Sequence, residues 1–241
     1  MTFRTFDALV FAGVGLIVGC AAASRSIDHQ EQQVLKSPRF DFARMKSGGL
    51  SLLGVTSEHA PEGIRDDVAF VMDQAVPNAL PSTVKIVSRK ETIVTAREAG
   101  MTADVQRLIR GYESQGVMDQ GLLRRIAVLE GVRYYMVTSI EHYGKVNREI
   151  GASPNAPVGI PPSYAPTARR NYERVQLVKL RGEIWDSRCG EVVWIAEGET
   201  QVEGDTQDDD VRLNEVASMA VKNLVGQLPK STDGRATQKE C

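Results

Sequence analysis

The chain has 241 residues, 42% of them hydrophobic and 25% charged, and carries a formal net charge of -2. That composition fits one globular domain of ordinary size with tails. With 29 basic side chains against 31 acidic ones there is no basic field of the kind that binds a polyphosphate, which argues against nucleic acid as a partner.

Arg4 supplies a positive start, with Asp7 as an extra charge, and Ala8 to Val18 is an unbroken apolar run. A membrane-spanning helix needs about 20 apolar residues, whereas the core of a secretion signal needs roughly 7–15. The run ends in Ile17-Val18-Gly19-Cys20, which resembles the lipobox of bacterial lipoproteins. Small residues suit the signal peptidase, and the Cys20 thiol is the nucleophile that takes up the diacylglyceryl group. Residues 1–19 are therefore expected to be a signal peptide, cut between Gly19 and Cys20. Cys20 would then hold the chain to a bilayer through its acyl chains, at about 0.8 kcal/mol per buried CH₂. The alternatives are an uncleaved anchor or an ordinary signal with a chance cysteine. Ala21, where Asp would retain a lipoprotein at the inner membrane, implies by the same resemblance an outer-membrane anchor facing the periplasm.

Residues 20–47 read as the lipidated cysteine and a flexible tether, polar and mixed with no sustained period. The folded body is expected over 48–230. Leu50 to Val55 is of strand length, and Pro61 opens a helix with Ile64, Val68, Val71, Met72 and Ala75 on one face, ended by Pro77 and Pro81. Val84 to Val87 is a second strand. Ser88 and Glu91 form a capping box, and helices are predicted over 91–99, 103–114 and 120–130, the last closed by Gly131. Arg133–His142, Glu173–Trp185 and Glu191–Val202 are strand-like, the last two joined by a tight turn at Asp186 to Gly190. Leu213, Val216, Ala220, Leu224 and Leu228 draw one face of a closing helix stopped by Pro229. Gly151 to Pro166, with Pro154, Pro157, Pro161 and Pro162, is a proline-rich loop, and Glu203 to Asp210 is an acidic connection. Residues 231–241 form a polar tail. The order β-α-β-α-β-β-β-α predicts an α/β fold, a mixed sheet with packed helices.

The segment Tyr134 to Ile140, the hairpin Trp185 to Trp194 and the order of elements resemble the CsgG-like outer-membrane lipoproteins, named after the curli secretion component. The core is also similar to the N-terminal domain of TolB and to the lipoprotein of Pel polysaccharide export. The resemblance covers about residues 48–228 and implies an anticodon-binding-domain-like sandwich. The pore-forming relatives carry two membrane hairpins per subunit. Here the corresponding connections are rich in proline or short and acidic, which predicts a protein with no pore of its own.

The sequence holds no GxGxxG, Walker A, HExxH, GxSxG or CxxC pattern, so no catalytic residue, cofactor or metal is expected. His29, His59 and His142 lack metal-ligand spacing, and Asp208 to Asp210 lacks the spaced oxygens of a calcium loop. Trp185, Trp194, Tyr134 and Tyr135 are either core residues or subunit contacts. Pro161 and Pro162 belong either to a plain surface loop or to a segment that a partner recognises. With Cys20 acylated, Cys189 and Cys241 remain as a pair that is either bridged, free or linked between chains. The expected function is that of a non-catalytic assembly or adaptor protein in an outer-membrane secretion or envelope system. Its partners would be outer-membrane lipid and either copies of itself or a secretion component. The alternative is a monomeric periplasmic lipoprotein that binds a peptide or small ligand.

Overall fold

The computed structural model describes residues 34–37, 40–150, 171–203 and 209–229. Among the described residues twelve elements follow in chain order: β1 (Leu35–Lys36), α1 (Phe42–Gly48), β2 (Leu50–Thr56), α2 (Glu62–Ala79), β3 (Ile86–Val87), α3 (Arg89–Glu98), α4 (Thr102–Gln115), α5 (Gln120–Glu130), β4 (Tyr134–Ile150), β5 (Asn171–Asp186), β6 (Glu191–Glu203) and α6 (Asp209–Gly226). The six strands form one mixed sheet in the order β1-β6-β5-β4-β2-β3. β2 runs parallel to β3 and β4, and the remaining pairs are antiparallel. The expected α/β class, a mixed sheet with packed helices, is the observed one.

Helices cover both faces of the sheet, which is why β2 and the first half of β4 are apolar without a polar side. Leu50, Leu52, Tyr134, Met136, Val178, Leu180 and Ile184 point to one core, shared with α1, α2 and α6. Leu53, Tyr135, Val137 and Trp185 point to the other, shared with α3, α4 and α5. α6 lies almost in contact with the backbone of β6. A Cβ on Gly198 would run into the Ala220 carbonyl oxygen and stand 2.6 Å from the Leu224 Cβ.

Local signals explain the helix ends. The Ser88 hydroxyl accepts from the Glu91 N–H, and the Glu91 carboxylate accepts from the Ser88 N–H at 2.7 Å, the capping box read from the sequence. Asp119 caps α5, whose other end stops at Gly131 in the left-handed region, φ 62°.

Three boundaries differ from expectation. The body begins before residue 48: β1 pairs with β6 at Ile195 and Trp194, and Phe40, Phe42 and Met45 are buried in the first core. Three large side chains gain more from that core than a solvated tether would gain from chain entropy. Pro77 lies inside α2 and does not end it. It sits in the last turn, where its missing N–H costs one hydrogen bond, and burial of Val76 and Leu80 carries the helix on. β4 and β5 are longer than the sequence pattern suggested, paired as far as Ile150 and Asn171. The whole proline-rich segment Gly151 to Pro166, including Pro161 and Pro162, lies outside the described residues.

Candidate functional site

The hairpin turn between β5 and β6 is fixed to the start of β4 by a buried ion pair. The Arg133 Nη2 donates to Asp186 Oδ2 at 2.6 Å, and its Nε reaches both carboxylate oxygens at 3.0 Å. Their side chains are only 10% and 4% exposed, so the pair sits where charge without a partner would be costly. Asp186 also accepts from the Arg188 N–H at 3.0 Å, and the Ser187 N–H donates to the Arg133 carbonyl at 2.9 Å. The Arg133 guanidinium stacks over the Tyr134 ring, 5.2 Å from its centroid, and Phe40 meets that ring edge-on at 5.8 Å.

Beside this turn runs a groove of about 610 Å³ between the end of α1, α5 and the hairpin. Arg124, Val128, Arg133 and Arg188 line it, and Val128 is 85% exposed. The Arg124 guanidinium donates to the Arg188 carbonyl, so the two arginines share one rim. Among the described residues, neither has a carboxylate within ion-pair distance. Cys189, next to Arg188, is disulfide-bonded. The other two cysteines of the chain, Cys20 and Cys241, lie outside the described residues.

A second opening, of about 380 Å³, lies between α2, α3 and α4 beyond the bulge at Gly54. Its charges mostly satisfy one another. Arg89 pairs with Asp66 at 2.9 Å, and Arg65 lies 3.8 Å from Glu113, while the buried Arg65 Nε has no hydrogen-bond partner. Arg110 and Glu62 also face this space.

The second core holds a polar string. The Thr56 hydroxyl donates to Ser139 at 3.2 Å, and the Tyr112 hydroxyl lies 3.3 Å from the same oxygen. The Tyr135 hydroxyl donates to Glu130 at 3.0 Å. Burial pushes Tyr112 up to about 12, and Glu183 adds to the rise. Burial likewise raises Tyr134 to about 12. Tyr135 is raised beyond the ordinary range, by burial first and by the charge of Glu130 second. Lys179 bridges three strands, 3.0 Å from both Glu141 and Glu197. Burial works to lower its pKa, but bonds to those two carboxylates outweigh it and the net direction is upward.

The sequence-predicted residues divide sharply. Tyr134, Tyr135, Trp185 and Trp194 are 1%, 0%, 4% and 1% exposed, so the core alternative describes them, and their side chains offer no surface to a subunit. Tyr134 and Trp194 belong to the core under α1, α2 and α6, and Tyr135 and Trp185 to the core under α3, α4 and α5. Gly19, Cys20, Pro161, Pro162 and Cys241 lie outside the described residues. Among the described residues, no group of three or more His, Cys, Asp or Glu side chains is placed to hold a metal. No described helix is long and apolar enough to cross a membrane. Arg124, Arg133, Asp186 and Arg188 were not singled out by the sequence. An Asp at the head of a tight turn was their one visible sign, and it reads equally as ordinary turn chemistry.

No family model matches the chain, and none of the curated proteins does. Solved structures similar to it include the following three. A PelC dodecamer from Paraburkholderia phytofirmans has 10% identity and a TM-score of 0.42, over 81% of this chain and 94% of that one. The lipoprotein GNA1162 from Neisseria meningitidis has 14% identity and a TM-score of 0.42, over 72% of this chain and 95% of that one. The LpoB C-terminal domain from Salmonella enterica has 10% identity and a TM-score of 0.34, over 64% of this chain and 82% of that one. Identities this low leave the site residues to be read from this chain alone.

Proposed function

We propose that this chain is a lipid-anchored, non-catalytic assembly protein that faces the periplasm from the outer membrane and acts by self-association in a secretion or envelope system. The observation that carries the reading is the sequence Ile17-Val18-Gly19-Cys20 at the end of an apolar run too short to span a bilayer. The folded body supports a role in contact more than in reaction. Acids and bases in the helical cleft pair with one another, and the buried tyrosines keep their protons. Apolar side chains stand in water on the helical layers, with Val117 57%, Val128 85% and Phe70 64% exposed. The resemblance to CsgG-like lipoproteins adds the expectation of a multi-subunit assembly. The proline-rich and acidic connections add that such an assembly has no membrane hairpins of its own.

The anchor is tested by Cys20→Ser. The variant is expected to accumulate as uncleaved precursor or as soluble protein. Recovery of a processed Ser variant with the outer membrane would refute the lipobox reading.

A second reading, ligand binding by a monomer, is favoured by one observation. The cleft between α2 and α4 presents the unpartnered Arg65 Nε together with Arg110 and Glu62, a charge pattern suited to a zwitterionic ligand.

A further inference from the structure

We propose that the cavity of about 380 Å³ between α2, α3 and α4 is a binding site for a small zwitterion, an amino acid or short peptide. Its carboxylate sits on Arg65 and Arg110, and its ammonium on Glu62. The inference deepens the ligand-binding reading and rests on it for the cleft alone, since the cleft lies within one copy of the chain.

The charges that line this space differ in what they already hold. Arg89 is a strut: its Nη1 donates to Asp66 at 2.9 Å and its N–H donates to Asp73 at 3.0 Å, which ties the start of α3 to α2. Arg65 is held far more loosely. It lies 3.8 Å from Glu113, beyond hydrogen-bond reach, and its buried Nε has no partner. A guanidinium in that state gives up little by turning its donors to a ligand, and gains bonds that it now lacks. Arg110 and Glu62 line the same cavity with no hydrogen bond or ion pair from their side chains among the described residues. Glu62 and Arg65, three residues apart on α2, share one face of that helix, and Arg110 comes from α4. Donors and an acceptor without partners thus face one enclosed space.

The remaining lining selects the class of ligand. Of the charged side chains in the cavity, Arg65, Arg89 and Arg110 are balanced by Glu62, Asp66 and Glu113. A lone anion or cation would therefore meet repulsion as well as attraction, whereas a ligand with both charges meets a partner for each. Guanidinium groups suit a carboxylate because they donate two parallel bonds to it. Val55 and Ile109 give the wall an apolar stretch for the carbon atoms between the charges. Gly54 keeps the floor open, since a Cβ there would meet only Arg89, at 3.8 Å. The volume is at the small end of the roughly 300–1,000 Å³ of ligand pockets.

Calorimetric titration of the full-length, detergent-solubilised protein tests this with leucine and alanyl-leucine as probes. Saturable binding of at least one is expected, and tighter binding of the dipeptide or of leucine tells a peptide site from an amino-acid site. Leucinamide lacks the carboxylate and N-acetyl-leucine lacks the ammonium, so each should bind at least about tenfold more weakly than leucine. Arg110→Gln should weaken leucine by a similar factor and leave leucinamide unchanged. Glu62→Gln should weaken leucine and leave N-acetyl-leucine unchanged. No saturable binding of either probe, equal binding of leucine and its two blocked forms, or variants that bind leucine like the parent would each overturn the inference. Light scattering of the same samples separates it from the monomer reading. Binding by an oligomer supports the inference and removes that reading, and a monomer that binds neither probe overturns the inference alone.

Discussion

Tyr112, Tyr134 and Tyr135 tie the core to pH in one direction. Each holds its proton more firmly folded than unfolded, because burial disfavours the phenolate. Below the ordinary tyrosine value near 10 both states are protonated and the full stability is present. As pH rises from about 10 toward 12, the unfolded chain loses those protons while the folded one keeps them, so stability falls. The slope approaches about 1.4 kcal/mol per pH unit for each tyrosine involved. Urea unfolding at pH 9, 10 and 11 should show a falling midpoint, with the absorbance of these phenolates appearing together with unfolding. Three phenolates that titrate near pH 10 in the folded protein would contradict their burial.

Among the elements, α6 and α4 make opposite predictions for the same substitution. Gly198→Ala in β6 places a methyl group against the Ala220 carbonyl and Leu224, where backbone must move, and should cost about 1–3 kcal/mol or more. Gly111→Ala in α4 meets nothing within 4 Å and should stabilise by about 0.5–1 kcal/mol through helix propensity. Thermal unfolding of both variants checks the pair, and equal shifts would mean that α6 does not lie on β6 as described. The same elements show what was legible beforehand. The Ser88–Glu91 box, Gly131 and the β5–β6 turn were visible because each is a local arrangement that needs only its own residues. α1 and β1 were not, since Phe40, Phe42 and Met45 sit in a short polar stretch without a period and are held only by the distant core. Pro77 misled for a related reason: tertiary burial of Val76 and Leu80 outweighs one missing hydrogen bond. The aromatic residues were read correctly as strand, but their exposure depends on helices packed from both sides. The Arg133–Asp186 pair joins residues far apart in sequence, so no spacing could announce it.

The described residues form an α/β/α sandwich whose first strand, Leu35–Lys36, lies a short span of chain from Cys20. On the proposed reading that span keeps every copy close to the membrane surface, where association is favoured by confinement. The same reading proposes that a collar of such domains lines no channel of its own. Purified acylated protein in a planar bilayer is accordingly expected to give no conductance steps, and stable steps from this chain alone would restore a pore. Self-association remains the centre of the account, because assembly is what separates it from a monomeric binder. Light scattering of the purified, acylated protein, corrected for bound detergent, measures it directly. The account predicts a single homo-oligomer, a defined multiple of the protomer mass that persists on dilution. A monomer across the same concentrations would contradict it.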